Sequence, residues 1–148
     1  MSLVTEKMNS YIADIQDKLV KKGRPVIAEM FRATYLNTID TTVKMDEHGA
    51  FVITGDIPAM WLRDSSAQVR HYLPLTKDDA EIRALVASLV KRQAYCIICD
   101  PYANAFNRTG DEITHWGIVD KTEYNNPMAW ERKYEVDSLC YPVNLAYH

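Results

Sequence analysis

Cysteine is scarce in this chain. Three residues, Cys96, Cys99 and Cys140, cannot make a disulfide framework, and the odd count favours a reducing compartment. Cys96 and Cys99 form a lone C-x-x-C inside an apolar helical run, with no second pair. Core packing is the expected role there, rather than zinc or redox chemistry. Histidine is equally sparse: His48, His71, His115 and His148 lack ligand spacing, so no metal or other cofactor is expected. No apolar run is long enough to span a bilayer. No charged-then-apolar leader opens the chain, and a cytoplasmic setting is expected. Met1-Ser2-Leu3 leaves room for a removed leader, which would make the setting periplasmic or secreted. The net charge is only −3, which gives neither nucleic acid nor an anionic membrane as partner. The oligomeric state is left open. Internal repeats and low-complexity segments are also missing.

What remains is ordinary globular material. With 148 residues, 47% hydrophobic and 25% charged, the chain is large enough for one modest domain with a core. Val4, Met8, Tyr11, Ile12, Ile15 and Leu19 recur at helical steps, and Lys21, Lys22 and Gly23 suit a helix end. Pro25 suits the start of a second helix, with a stripe through Ile27, Met30, Phe31, Thr34 and Tyr35. Residues 41–45 and 50–53 read as a β-hairpin around a turn at 46–49, with His48 expected to face solvent at its tip.

The hairpin leads into Gly55-Asp56-Ile57-Pro58-Ala59-Met60-Trp61-Leu62-Arg63-Asp64-Ser65-Ser66. Gly55 and Pro58 argue for a turn. Ser65 and Gln68 have capping-box spacing, so a helix is expected from about Ser65. Arg63 and Asp64 would then stand just before a helix N-terminus, where free N–H groups and the dipole favour an ionised Asp64. Arg63 brings a planar fork of donors, Asp64 brings acceptors and Trp61 a flat apolar face. That set suits a polyhydroxylated ring such as a sugar. It also suits a salt-bridged helix cap beside a core tryptophan, and residue types alone favour that plainer reading.

Thr76, with Asp79 three residues on, is a second capping signal. It precedes the longest periodic run: Ile82, Leu85, Val86, Leu89, Val90 and Ile97, with Lys91 and Arg92 expected on its solvated face. Asp100-Pro101 ends that helix. Up to Trp130 periodicity is lost, while Tyr102, Phe106, Trp116 and Tyr124 mix with Asn104, Asn107 and His115. Such a loop suits a sugar-binding rim, or an Ω-loop packed on its own aromatics. The Asn107-Arg108-Thr109 sequon is taken as chance. A last helix is expected with Asp137 or Ser138 as cap, Pro142 in its first turn, and Val136, Leu139, Cys140, Val143 and Tyr147 as its apolar face. Glu131, Glu135 and Asp137 gather acids at its mouth, partnered by Arg132 and Lys133 or placed at a site.

Four strings carry a further signal: TGDIPAMWLRDSSAQV at 54–69, VKRQ at 90–93, DPYANAFN at 100–107 and WERKYEVDSLCYP at 130–142. In this order they resemble blocks of the family 125 glycoside hydrolases, the metal-independent exo-α-1,6-mannosidases. The resemblance covers most of residues 36–147 and is loose over 1–35 and 108–129. It implies an (α/α)6 barrel and inverting release of mannose from the ends of mannose-containing glycans. Twelve helices of about 12 residues with links of about 5 need roughly 200 residues. Residues 1–148 are therefore expected to be an all-α N-terminal part of one such catalytic domain, with a short β-hairpin and no internal boundary. The chain stops at His148, inside its last helix. Inversion uses two carboxyl groups about 6.5–9.5 Å apart. The resemblance implies that both lie beyond His148, so none of Asp56, Asp64, Glu131, Glu135 or Asp137 is taken as catalytic. It makes Arg63 and Asp64 the pair that grips the terminal mannose in the −1 subsite, with Trp61, Asp56, Glu135 and Asp137 as further substrate-binding candidates. A non-catalytic mannose-binding module and a helical protein-interaction scaffold are the alternatives.

Overall fold

The computed structural model describes residues 3–110 and 126–148. It is mostly helical, with two small antiparallel sheets. Helix α1 (Glu6–Lys21) begins at Thr5, whose hydroxyl accepts the Met8 N–H at 3.2 Å. It closes on Gly23, whose φ of 70° suits a residue without a Cβ. Helix α2 (Pro25–Tyr35) starts on Pro25, where a missing N–H costs little, and packs against α1. The stripe expected on α2 is rotated from the buried face. Ile27 and Met30 are exposed, while Ala28 and Tyr35 are buried. The rings decide this: Tyr35 lies 5.5 Å from Tyr11 and 5.0 Å from Phe31, and that aromatic cluster sets which side of α2 faces inward.

A π turn over Thr38–Thr42 precedes the hairpin, with the Thr41 and Thr42 hydroxyls donating to carbonyls four residues back. It takes up the first two residues of the expected strand. Strand β1 (Val43–Asp46) therefore starts at Val43, and it pairs with β2 (Gly49–Val52) in the register Val43↔Val52. His48 does not simply face solvent, since its ring stacks on Tyr95 at 4.5 Å with planes 7° apart. The hairpin lies on α4 (Ala80–Cys99) through β2.

Helix α3 (Leu62–Val69) begins three residues earlier than the spacing suggested, and it runs into a 3-10 segment, Arg70–Leu75. Ser65 is not its cap: the hydroxyl is buried and donates to the Leu62 carbonyl. Asp79, not Thr76, caps α4, accepting from Glu81 N at 2.9 Å and Ile82 N at 3.0 Å. Thr5 also donates to Asp79 at 2.6 Å, so one hydroxyl links the starts of α1 and α4. Burial raises the Asp79 carboxyl pKa, but the Thr5 hydroxyl and the two amides outweigh it and hold the group below its ordinary range.

Arg92 is the largest departure on α4. It has no exposed surface, where a solvated side chain was expected. Its guanidinium donates to Asp46 at 2.6 Å and to the Arg108 carbonyl at 2.5 Å, and lies 5.2 Å from the centre of the Phe51 ring. A buried cation held this way ties the hairpin to the segment after α4. Cys96, one turn on, is buried, and burial pushes its thiol up to about 12. That suits a packing residue and not a reactive one.

The second sheet was not foreseen. Strands β3 (Met60–Trp61), β4 (Ala105–Phe106) and β5 (Ala129–Glu131) pair antiparallel in that order. At two or three residues each they are too short to show a period. Helix α5 (Val136–Tyr147) packs on α3 and α4. Its N-cap residue is Glu135, not Asp137 or Ser138, so Pro142 falls in the helix interior rather than the first turn. The face expected to be apolar is also displaced. Ser138, Pro142 and Leu145 are buried, while Val136, Cys140, Val143 and Tyr147 are exposed. Small and ring side chains let α5 approach closely on its Ser138 side. One cluster from Met8 to Leu145 forms the core.

Candidate active site

The site grows out of the junction between β3 and α3. Trp61 ends the strand with extended backbone, φ −74° and ψ 135°, and occupies the N-cap position without a side-chain cap. The first free amide of α3, Leu62 N–H, is taken instead by the Asn104 carbonyl at 3.1 Å. Arg63 and Asp64 are thus the second and third residues of the helix. Asp64 still lies in the first turn, where the dipole favours its charge.

Helix α5 brings its own N-terminus to the same place. The Arg63 guanidinium lies 3.2 Å from Asp137 Oδ2 through Nη1 and 3.3 Å from Asp64 Oδ2 through Nη2, with Glu135 Oε2 3.6 Å from Nη1. All four side chains are about two-fifths exposed, at 39–42%. One cation is therefore shared among three carboxylates in contact with water, and the set carries a net charge of −2. The Asp137 hydrogen bond, followed by the Asp64 charge, raises the Arg63 pKa further above its ordinary value. Among the described residues the arrangement leaves carboxylate lone pairs for hydroxyl donors, around one guanidinium plane.

Beside this cluster is an open groove of about 290 Å³, lined by Trp61, Arg63, Asp64, Gln68 and the turn residues Thr54, Gly55 and Ile57. Gly55 turns the chain there with φ 70°. Trp61 is held in place by the pairing of β3 with β4, opposite Ala105. Burial raises the Glu131 pKa, but Lys133, Asn104 and Trp61 together lower it, so Glu131 stays ionised.

Among the expected substrate-binding residues, Arg63, Asp64, Glu135 and Asp137 meet in one cluster, and Trp61 lines the adjoining groove. Asp56 does not join them and stands exposed on the turn, outside the groove lining. Asn104, Phe106 and Asn107 do not form a rim, because each is buried. The Asn107 amide donates to the Pro127 carbonyl at 2.9 Å, which closes the sequon inside the fold. Tyr102 is exposed, beside Tyr134 and 5.4 Å from the Arg132 guanidinium. Trp116, Tyr124 and His115 lie outside the described residues. Gln68, expected as the capping partner of Ser65, is a groove residue instead. It lies four residues after Asp64, so helical spacing already put both on one face. Its Oε1 is shielded and has no partner among the described residues. Among those residues no three of His, Cys, Asp and Glu come together as a metal-holding group, and no helix is long and apolar enough to cross a membrane.

A family profile described as "Metal-independent alpha-mannosidase (GH125)" matches residues 24–148. The chain belongs to the family 125 glycoside hydrolases. A solved structure of a metal-independent α-mannosidase from Streptococcus pneumoniae, in a non-productive substrate complex with α-1,6-mannobiose, is similar to it. That protein is 44% identical with a TM-score of 0.87, over 99% of this chain and 34% of that one. The "Meiotically up-regulated gene 157 protein" of Schizosaccharomyces pombe is 34% identical over 97% of this chain and 30% of its own length. This family 125 chain thus spans about a third of the length of the relatives it matches.

Proposed function

We propose that this chain forms the first part of an (α/α)6 catalytic domain in an inverting exo-α-1,6-mannosidase, a cytoplasmic enzyme that works without a metal. Its share of the work is to grip the terminal mannose of a mannose-containing glycan. The general acid and general base are supplied by residues beyond His148. The observation that carries this reading is the Arg63 guanidinium shared among Asp64, Glu135 and Asp137 beside a tryptophan-walled groove. Half-exposed carboxylates can accept hydrogen bonds from vicinal hydroxyls, the guanidinium can donate to a neighbouring oxygen, and an indole face can cover the C–H side of a sugar ring. Arg63 and Asp64 are the −1 subsite pair in this reading, and the α-1,6 linkage is carried over from the ligand in the pneumococcal relative.

The test is turnover by the whole enzyme. Mannose is expected to be released from non-reducing α-1,6 ends in the presence of EDTA, while residues 1–148 alone are inactive. Complete loss in EDTA with recovery on adding calcium or zinc overturns the metal-free reading. Mannose binding by the whole protein without turnover of an aryl α-mannoside would leave a lectin, and no mannose binding at all would leave a protein-interaction scaffold.

A further inference from the structure

A buried polar knot lies against α3. Gln93 sits in the second half of α4 with no exposed surface, in a helix whose other buried residues are mostly apolar. Its Nε2 stands 2.9 Å from Ser65 Oγ, 2.9 Å from Ser66 Oγ and 3.4 Å from the Leu62 carbonyl oxygen. Both hydroxyls donate to that same carbonyl, at 3.2 Å and 2.8 Å. Ser65 and Ser66 are themselves buried. Every group that Gln93 holds belongs to the turn of α3 that runs from Leu62 through Arg63 and Asp64 to Ser66.

That turn has no side-chain cap of its own. It is fixed by the Asn104 carbonyl on the Leu62 N–H, and by Gln93 on the two serines, whose hydroxyls hold the Leu62 carbonyl. An amide suits this place because one nitrogen carries two N–H donors. Two hydroxyls can accept from it and still give their own protons to the carbonyl. The Gln93 Oε1 is buried without a hydrogen-bond partner among the described residues, and an unpaired buried oxygen is costly. The VKRQ string thus divides its polar work, with Arg92 directed to the hairpin and Gln93 to α3.

We infer that Gln93 is a positioning residue for the sugar-binding pair. Its amide fixes the first turn of α3, and with it the directions in which Arg63 and Asp64 leave the helix. The inference rests on the substrate-binding reading of those two residues. A binding group moved by about 1 Å loses on the order of 100-fold in rate, so a small rotation of this turn is enough to be read kinetically.

The test uses the whole enzyme bearing Gln93→Met, which keeps length and removes the amide. The control is Leu89→Ala, buried one turn earlier on α4. Each is measured for kcat/KM on an aryl α-mannoside and for its melting temperature, and Gln93→Met is also combined with Asp64→Asn. Gln93→Met is expected to lower kcat/KM by about 10- to 100-fold, raising KM as well as lowering kcat. Leu89→Ala is expected to stay within about three-fold at an equal or greater loss of melting temperature. The Gln93→Met penalty should shrink by at least about three-fold when Asp64 is already Asn, because the two act through one group. If Gln93→Met does not fold, Ser65→Ala with Ser66→Ala removes the same hydrogen bonds and is read by the same criteria. Activity that tracks melting temperature alike in variant and control, or full additivity with Asp64→Asn, overturns the inference. Normal kcat/KM for Asp64→Asn alone overturns the sugar-binding reading, and this inference with it.

Discussion

Replacing Asp64 by Asn separates a sugar-binding carboxylate from an ordinary helix-terminal ion pair. The substitution keeps the shape and removes the charge. Among the described residues that charge has one protein partner, Arg63 at 3.3 Å, and Arg63 keeps Asp137 at 3.2 Å and Glu135 at 3.6 Å when it is gone. The side chain is 42% exposed, so the lost pair is worth about 0–1 kcal/mol of stability. The lost interaction with the helix dipole adds about 0.3–1 kcal/mol. The fall in melting temperature should therefore be only a few degrees. Catalysis should suffer far more. A hydrogen bond to a charged group contributes about 1.5–3 kcal/mol, and two sugar hydroxyls can share this carboxylate. At about 1.4 kcal/mol per factor of ten, kcat/KM of the whole enzyme should drop roughly 10- to 1000-fold. Arg63→Lys should fail similarly, because an ammonium cannot serve three carboxylates and a substrate as a planar fork does. The assay is steady-state turnover of an aryl α-mannoside alongside thermal unfolding. A lowered melting temperature with normal kcat/KM would refute the argument and return the pair to an ordinary salt-bridged cap.

Three further outcomes are expected. Arg92→Leu should destabilise the protein by about 3–5 kcal/mol in urea unfolding, since it strands Asp46, and adding Asp46→Ala should recover part of that loss. No recovery in the double variant would show that the ion pair is not what Arg92 supplies. Gly49→Ala should cost more than a typical surface change, because a Cβ at φ 107° would fall on the Ser88 carbonyl oxygen; an unchanged unfolding midpoint would count against the close approach of hairpin and α4. Asp79→Ala should cost about 1–2 kcal/mol at neutral pH. Because the folded pKa of Asp79 is lowered, its contribution is present above the unfolded value near 3.9 and is lost as pH falls through the lower folded pKa. The gap between wild type and Asp79→Ala should therefore narrow in acid, and a gap that does not change with pH would contradict this.

The sequence by itself determined the elements whose signal is local. The C-terminal end of α1 and the start of α2 were legible because Gly23 and Pro25 act through their own backbone geometry. The hairpin and the long α4 were legible because alternation and helical period need only neighbours. Family membership was legible in four strings, and with it the pairing of Arg63 with Asp64. Tertiary structure decided what depends on partners far along the chain. Arg92 reads as a solvated cation until Asp46, 46 residues away, is brought against it. Ser65 reads as a cap until the helix is seen to start at Leu62, with the serine hydroxyl turned to the Leu62 carbonyl and to Gln93. Strands of two and three residues carry no period, so the sheet that aims Trp61 was silent in the sequence. Glu135 and Asp137 were candidates only through the family resemblance, 74 residues from Arg63 in the case of Asp137, until the packing of α3 on α5 set them around one guanidinium. Charges become a site through distance, and over such separations distance is fixed by the fold and not by spacing.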